Sequence, residues 1–246
     1  MESLAVIQQI NLTPSLAFYA ASLGYNPNRC KMEIQFHKAK ILEKTFLYVE
    51  YIQNIVSYST ETDDSGNKIE VSEIIYSDPI KRPIKMFIHK DLSDCFRKLT
   101  AHVIFINCMV SDDKYNSLQE MQFESLGLEH EFEAFWTDWE QREANDHEYR
   151  LLNRINVLGV SFSGFGENES VSIVAKIKNQ YGKEYVSITP LVKIEDIEEK
   201  YFFAKDLNRE IENLKKELIA YMYYGKVGDV SNNAPELPFD YNENQD

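Results

Sequence analysis

Three features that would make a function easy to name are missing from this chain. The three cysteines, Cys30, Cys95 and Cys108, include no CxxC pair, and their odd number excludes a fully paired disulfide framework. A reduced, cytoplasmic setting is the expectation they support. No run approaches the eighteen or so apolar residues of a membrane span. MESLAVIQQINLTPS has no basic flank before its short apolar stretch, so no secretory signal is expected. HExxH is absent, and SGFGENES lacks both GxGxxG spacing and a following GK[ST], which makes a hairpin turn the plainer reading of Gly164 and Gly166. Ser161, Ser163 and Ser170 have no nucleophile-elbow setting, and no cysteine stands beside an evident base. The expectation is a chain that is not an enzyme and uses no cofactor.

Excess positive charge is missing too. The net charge of the 246 residues is −14, unevenly spread. Residues 112–148 hold twelve Asp/Glu against Lys114 and Arg142, a net of −10, and residues 227–246 hold five acids and no base. The rest sums to +1, so a nearly neutral body carries an acidic middle segment and an acidic tail and can still offer a basic face.

What is present is pattern. TPSLAFYAASLG (13–24) predicts a short helix with Thr13 as cap, Pro14 in the first turn and Gly24 past the end. In KMEIQFHK, Met32, Ile34 and Phe36 alternate with polar residues as in a half-buried strand. KTFLYVEYIQNIVSYS continues β-rich, TDDSGNK turns the chain, and IEVSEIIYS returns. In the second half RINVLGVSFS predicts a strand bulged at Gly159, and Val171, Ile173, Ala175 and Ile177 mark one face of the next. NQYGKE then turns into YVSIT. Leu207, Ile211, Leu214, Leu218 and Tyr221 form a helical stripe, with Glu212 and Lys216 spaced for an i,i+4 pair and Gly225 placed to end the helix.

Leu92, Phe96, Leu99, Val103 and Ile106 repeat that stripe 115 residues earlier, and KDLSDCFRKL opens like KDLNREIENL. The expected fold class is therefore α+β: two similar modules of antiparallel strands, each followed by an amphipathic helix. The boundaries are 1–111 for the first module, 112–150 for an acidic helical connector, 151–226 for the second module and 227–246 for a disordered acidic tail. A chance likeness between two generic stripes is the competing explanation. AHVIFIN, rich in β-branched residues, also allows the first helix to stop near Thr100 and continue as strand. In the connector, Phe132, Phe135, Trp136 and Trp139 fall at helical spacing.

Aromatic rings and lysines in the β-rich stretches suggest a surface for single-stranded nucleic acid, DNA or RNA, because rings stack on bases and ammonium groups meet phosphates. The candidates are Lys38, Lys40, Lys44, Tyr48, Tyr51, Phe162, Phe165, Lys176 and Lys178. Burial in a core is the competing role for each ring. Glu129-His130-Glu131 and Asp146-His147-Glu148 could hold a divalent metal if brought together, but a solvated acidic face is the ordinary explanation, and no metal is expected.

Two resemblances follow from quoted residues. VLGVSFSGFGENESVSIVAKIKNQYGKEYVSITP with FAKDLNREIENLKKELIAYMYYGK, about residues 154–226, is similar to small proteins of unassigned role encoded by tailed bacteriophages and mobile elements. PELPF, comprising Glu236, Leu237, Pro238 and Phe239, resembles the tail tip of bacterial single-stranded DNA-binding proteins, although DYNENQD follows the phenylalanine here. That resemblance implies a tail that recruits replication or host proteins. The competing expectation is a protein-interaction or structural phage protein whose acidic segment engages a basic partner.

Overall fold

The computed structural model describes residues 8–42, 46–63, 66–109, 154–164, 168–179, 181–193, 201 and 203–228. The connector at 112–150, the tail at 229–246, both His-carboxylate triplets, Lys44 and Phe165 lie outside these residues. The described elements are β1 (Gln8–Ile10), α1 (Pro14–Ser22), a 3₁₀ turn (Pro27–Arg29), β2 (Cys30–Leu42), β3 (Phe46–Thr62), β4 (Lys68–Ile84) and α2 (Lys90–Ile106). β5 (Ile155–Ser163), β6 (Ser170–Lys178), β7 (Glu184–Ile188), β8 (Val192–Lys193) and α3 (Ala204–Tyr223) follow. The class is α+β. No helix among the described residues is long and apolar enough to cross a membrane.

All the described strands belong to one antiparallel sheet in the order β4-β3-β2-β5-β6-β7, with β1 paired to β2 and β8 to β6. Each run of three strands is a meander followed by a helix. The first strands of the two runs, β2 and β5, lie side by side, joined by Lys38↔Ser161, Ala39↔Val160 and Lys40↔Gly159. Gly159 makes this seam possible. A β-carbon there would sit 2.5 Å from the Ala39 carbonyl oxygen and 2.9 Å from Lys40 Cα. The ladder between β5 and β6 shifts register between Val157 and Gly159, which is the bulge the glycine predicted.

One face of the sheet is apolar and carries the helices. Met32, Ile34, Phe36, Ala39, Leu47, Val49 and Tyr51 from the first run join Val157, Val160, Phe162, Ile173 and Ala175 from the second in a single core. All five stripe residues of α3 are buried without residual exposure. On α2, Leu92, Phe96, Leu99 and Val103 are buried while Ile106 is half-buried. The helices pack on each other, and α2 also lies over β5 and β6, strands of the other run. At the far end of α3, Tyr223 donates to Gln53 Oε1 at 3.1 Å, and Tyr221 donates to the Met86 carbonyl. Each helix thus crosses between the runs, instead of covering only the strands that precede it.

Several local expectations change. AHVIFIN stays helical to Ile106 because Ala101, Val103, Ile104 and Phe105 are all buried, so tertiary packing overrides β-propensity. β4 runs past IEVSEIIYS to Ile84, through Pro79 and Pro83, which an edge strand tolerates because its outer N–H groups have no ladder partner. Glu212 bonds Lys215 at 2.9 Å, not Lys216, and Lys215 is further held by Glu169 at 2.7 Å. Thr13 makes no side-chain cap to the backbone of α1. Gly24 and Gly225 do take the left-handed conformation after their helices.

Candidate nucleic-acid interface

Alternation along the strands sends every second residue to the side away from the helices. Register pairs then align those residues in rows. One row runs Lys81–Glu50–Lys38–Ser161–Ser172 across β4, β3, β2, β5 and β6. The next runs Pro83–Tyr48–Lys40–Gly159–Val174–Ile188 and reaches β7. Lys176 and Lys178 follow along β6, opposite Val186 and Glu184. Both runs of strands therefore contribute to one continuous surface, and Gly159 lets it pass the seam without a step.

Charge on this surface is opposite in sign to that of the whole chain. Lys31, Lys38, Lys40, Lys81, Lys176 and Lys178 stand on it with Glu33, Glu50 and Glu184. Two of the acids are tied to lysines: Glu50 to Lys81 at 3.1 Å, and Glu184 to Lys176. Glu33 lies toward one end, where Tyr58 donates to it. The Lys81 ammonium, with help from the Tyr48 hydroxyl, holds the Glu50 carboxyl below the usual range, so it stays ionised. Glu50 in turn raises Lys81, which keeps its charge.

The sequence candidates divide on this geometry. Lys38, Lys40, Tyr48, Lys176 and Lys178 share the face opposite the described helices. Tyr51 and Phe162 do not, being 2% and 6% exposed and turned toward the helices. Tyr51 contacts Phe36 and Tyr223, while Phe162 lies under the Lys215 ammonium, 5.5 Å from its ring centre. Ring surface on the open side comes from β3 instead: half-buried Phe46, Tyr48 and Tyr58. Tyr48 is the best placed, paired across the ladder with Lys40 and donating to Glu50 at 3.1 Å.

Sequence reasoning missed Lys81, Glu50, Ser161 and Ser172. Lys81 sits in SDPIKRPIK, where two prolines argue against a strand, and only the unbroken parity from Tyr76 to Ile84 could have placed it. The serines depend on the β2–β5 register, which no local pattern carries.

Chemically, this face presents ammonium groups, the half-buried Ser161 hydroxyl and one ring flanked by a lysine, while Glu33, Asn54, Val56 and Ser172 on the same side are buried. Among the described residues no group of three or more His, Cys, Asp or Glu is arranged to hold a metal ion. No family model, no curated protein and no solved structure matches this chain.

Proposed function

We propose that this protein binds single-stranded nucleic acid without catalysing a reaction, through the face of its sheet opposite α1, α2 and α3. The observation that carries the reading is the gathering of lysines from both runs of strands on one continuous face, in a chain whose net charge is −14. Phosphates would meet Lys38, Lys40, Lys176 and Lys178, and Tyr48 would stack on a base. Such stacking contributes on the order of 1–3 kcal/mol per base in known single-strand binders. We also propose that the two runs are look-alike modules forming an intrachain pseudo-dimer, a reading supported by their shared order of three strands then a helix and by the adjacency of β2 and β5. Two linked half-surfaces favour an extended ligand over a compact one. The acidic tail, with Glu236, Leu237, Pro238 and Phe239, then recruits a replication or host protein.

The test is fluorescence anisotropy with labelled oligo-dT at low salt. Binding that weakens with log[salt] by about 0.7 per phosphate neutralised supports the reading. Lys40→Ala with Lys178→Ala should flatten that slope. No anisotropy change at low salt refutes it, and leaves the second reading, a protein-interaction module working through the net −10 of residues 112–148. Deleting that segment should then abolish capture of a basic partner.

A further inference from the structure

β3 and β4 are longer than the sheet they belong to. The ladder between β2 and β3 ends at Cys30↔Ser57, yet β3 and β4 stay paired from Tyr58↔Ser72 to Thr62↔Lys68. Among the described residues those pairs have no third strand, so they form a two-stranded arm extending roughly 16 Å past the ladder with β2 at 3.3 Å per residue. The turn is closed by Asp63, which accepts from the Asn67 amide at 2.7 Å, and by Gly66 in the left-handed conformation. A lone hairpin is marginally stable in water, and this one leaves Ile69 44% exposed.

The arm is strongly acidic. Residues 58–72 hold Glu61, Asp63, Asp64 and Glu70 against Lys68 alone. Glu61 pairs with Ile69 on one side of the ribbon and Glu70 with Thr60 on the other, and both glutamates are exposed. Such a ribbon is repelled by nucleic acid. It is complementary to the lysine-bearing face of the sheet, but cannot reach that face in its own molecule. β3 and β4 stay paired from the sheet into the arm through one register shift between Ile55 and Val56, and folding the arm back onto the sheet would break the ladder that defines both. A second copy of the chain offers a complement of fitting sign.

We propose that the acidic arm of one molecule docks on the lysine-bearing face of a second copy, so that the free protein self-associates. The net charge of −14 opposes association at long range, but at ordinary ionic strength screening confines each charge to about 8–10 Å, and the local match decides. Both surfaces belong to one chain but are different patches, so the contact is of arm-to-face type. It closes as a reciprocal pair or continues as a chain of copies. Because the arm occupies the face proposed for nucleic acid, a polyanion would dissociate the copies. The self-association itself does not depend on that reading.

Sedimentation velocity of the full chain without nucleic acid, over a wide concentration range at low and at high salt, tests it. The expected result is a mass above 28.7 kDa at low salt that falls to it at high salt. Glu61→Lys with Glu70→Lys should be monomeric, as should Lys40→Glu with Lys178→Glu. A mixture of these two variants should associate, because a basic arm then meets an acidic face. Circular dichroism checks that each variant folds, and replacing residues 60–70 by Asn-Gly removes the arm without altering the sheet. A monomer at every concentration overturns the proposal. So does association that survives either charge reversal or loss of the arm, or failure of the mixture to associate.

Discussion

Gly159→Ala is the sharpest probe of how the two runs of strands are joined. The residue is buried, and its φ lies outside the left-handed region, so an alanine would suffer no dihedral strain. Its cost is purely steric. The new methyl would begin 2.5 Å from Ala39 O and 2.9 Å from Lys40 Cα, and both are backbone atoms that no rotamer change can move aside. β2 and β5 share only three register pairs, so the strain must be relieved by opening that short seam. Overfilling a packed site costs about 1–3 kcal/mol. Restricting the unfolded chain returns about 0.4–1 kcal/mol. The net loss is about 1–2 kcal/mol, or a fall in Tm of about 2–8 °C for a chain of this size. Urea denaturation with an unchanged m-value measures it, and amide exchange should quicken at Ala39, Lys40 and Val160 before other central-strand positions. A variant as stable as the parent, or more stable, refutes the tight seam.

Two further predictions concern buried charge. His102 lies wholly inside α2's packing against α3, with Nδ1 2.7 Å from the Tyr201 hydroxyl, and burial, with Arg209 adding repulsion, pushes its pKa down to about 3. The unfolded state therefore binds the extra proton between about pH 6.5 and pH 3, and stability falls with pH across that window at up to about 1.4 kcal/mol per unit. Denaturation at stepped pH should show this slope, and His102→Gln should lack it. Lys215, 9% exposed at its side chain, joins Glu169 to Glu212, so Lys215→Met leaves two largely covered carboxylates without their shared cation. The loss should be about 1–3 kcal/mol by thermal melting, and restored stability at low pH, where those carboxylates are protonated, would identify the cause.

Much of the fold was legible because its signals are local. Alternation placed Met32, Ile34 and Phe36 on one face of β2, and Val171, Ile173, Ala175 and Ile177 on one face of β6, since a period of two needs no knowledge of the partner strand. The stripe of α3 was legible for the same reason. Non-local facts were not. That β2 abuts β5, that α2 lies over β5 and β6, and that Ala101–Phe105 remain helical all follow from packing between segments about fifty or more residues apart. The candidate site divided along this line. Lysines at alternating positions landed together on the open face, whereas an aromatic residue in a strand carries no mark of which face it takes. Tyr51 and Phe162 went to the core because their parity matches Val49 and Val160, a comparison available only once the core side was known. Lys81 was hidden by its flanking prolines, which an edge strand accepts and a central one does not.

Lysine acetylation footprinting by mass spectrometry, with and without saturating oligo-dT, tests the proposed interface most directly. Lys38, Lys40, Lys176 and Lys178 should be protected several-fold, while Lys90, Lys205 and Lys216, exposed on the helices, react as before. Uniform protection, protection confined to the helix lysines, or none at all would contradict binding through the open face of the sheet.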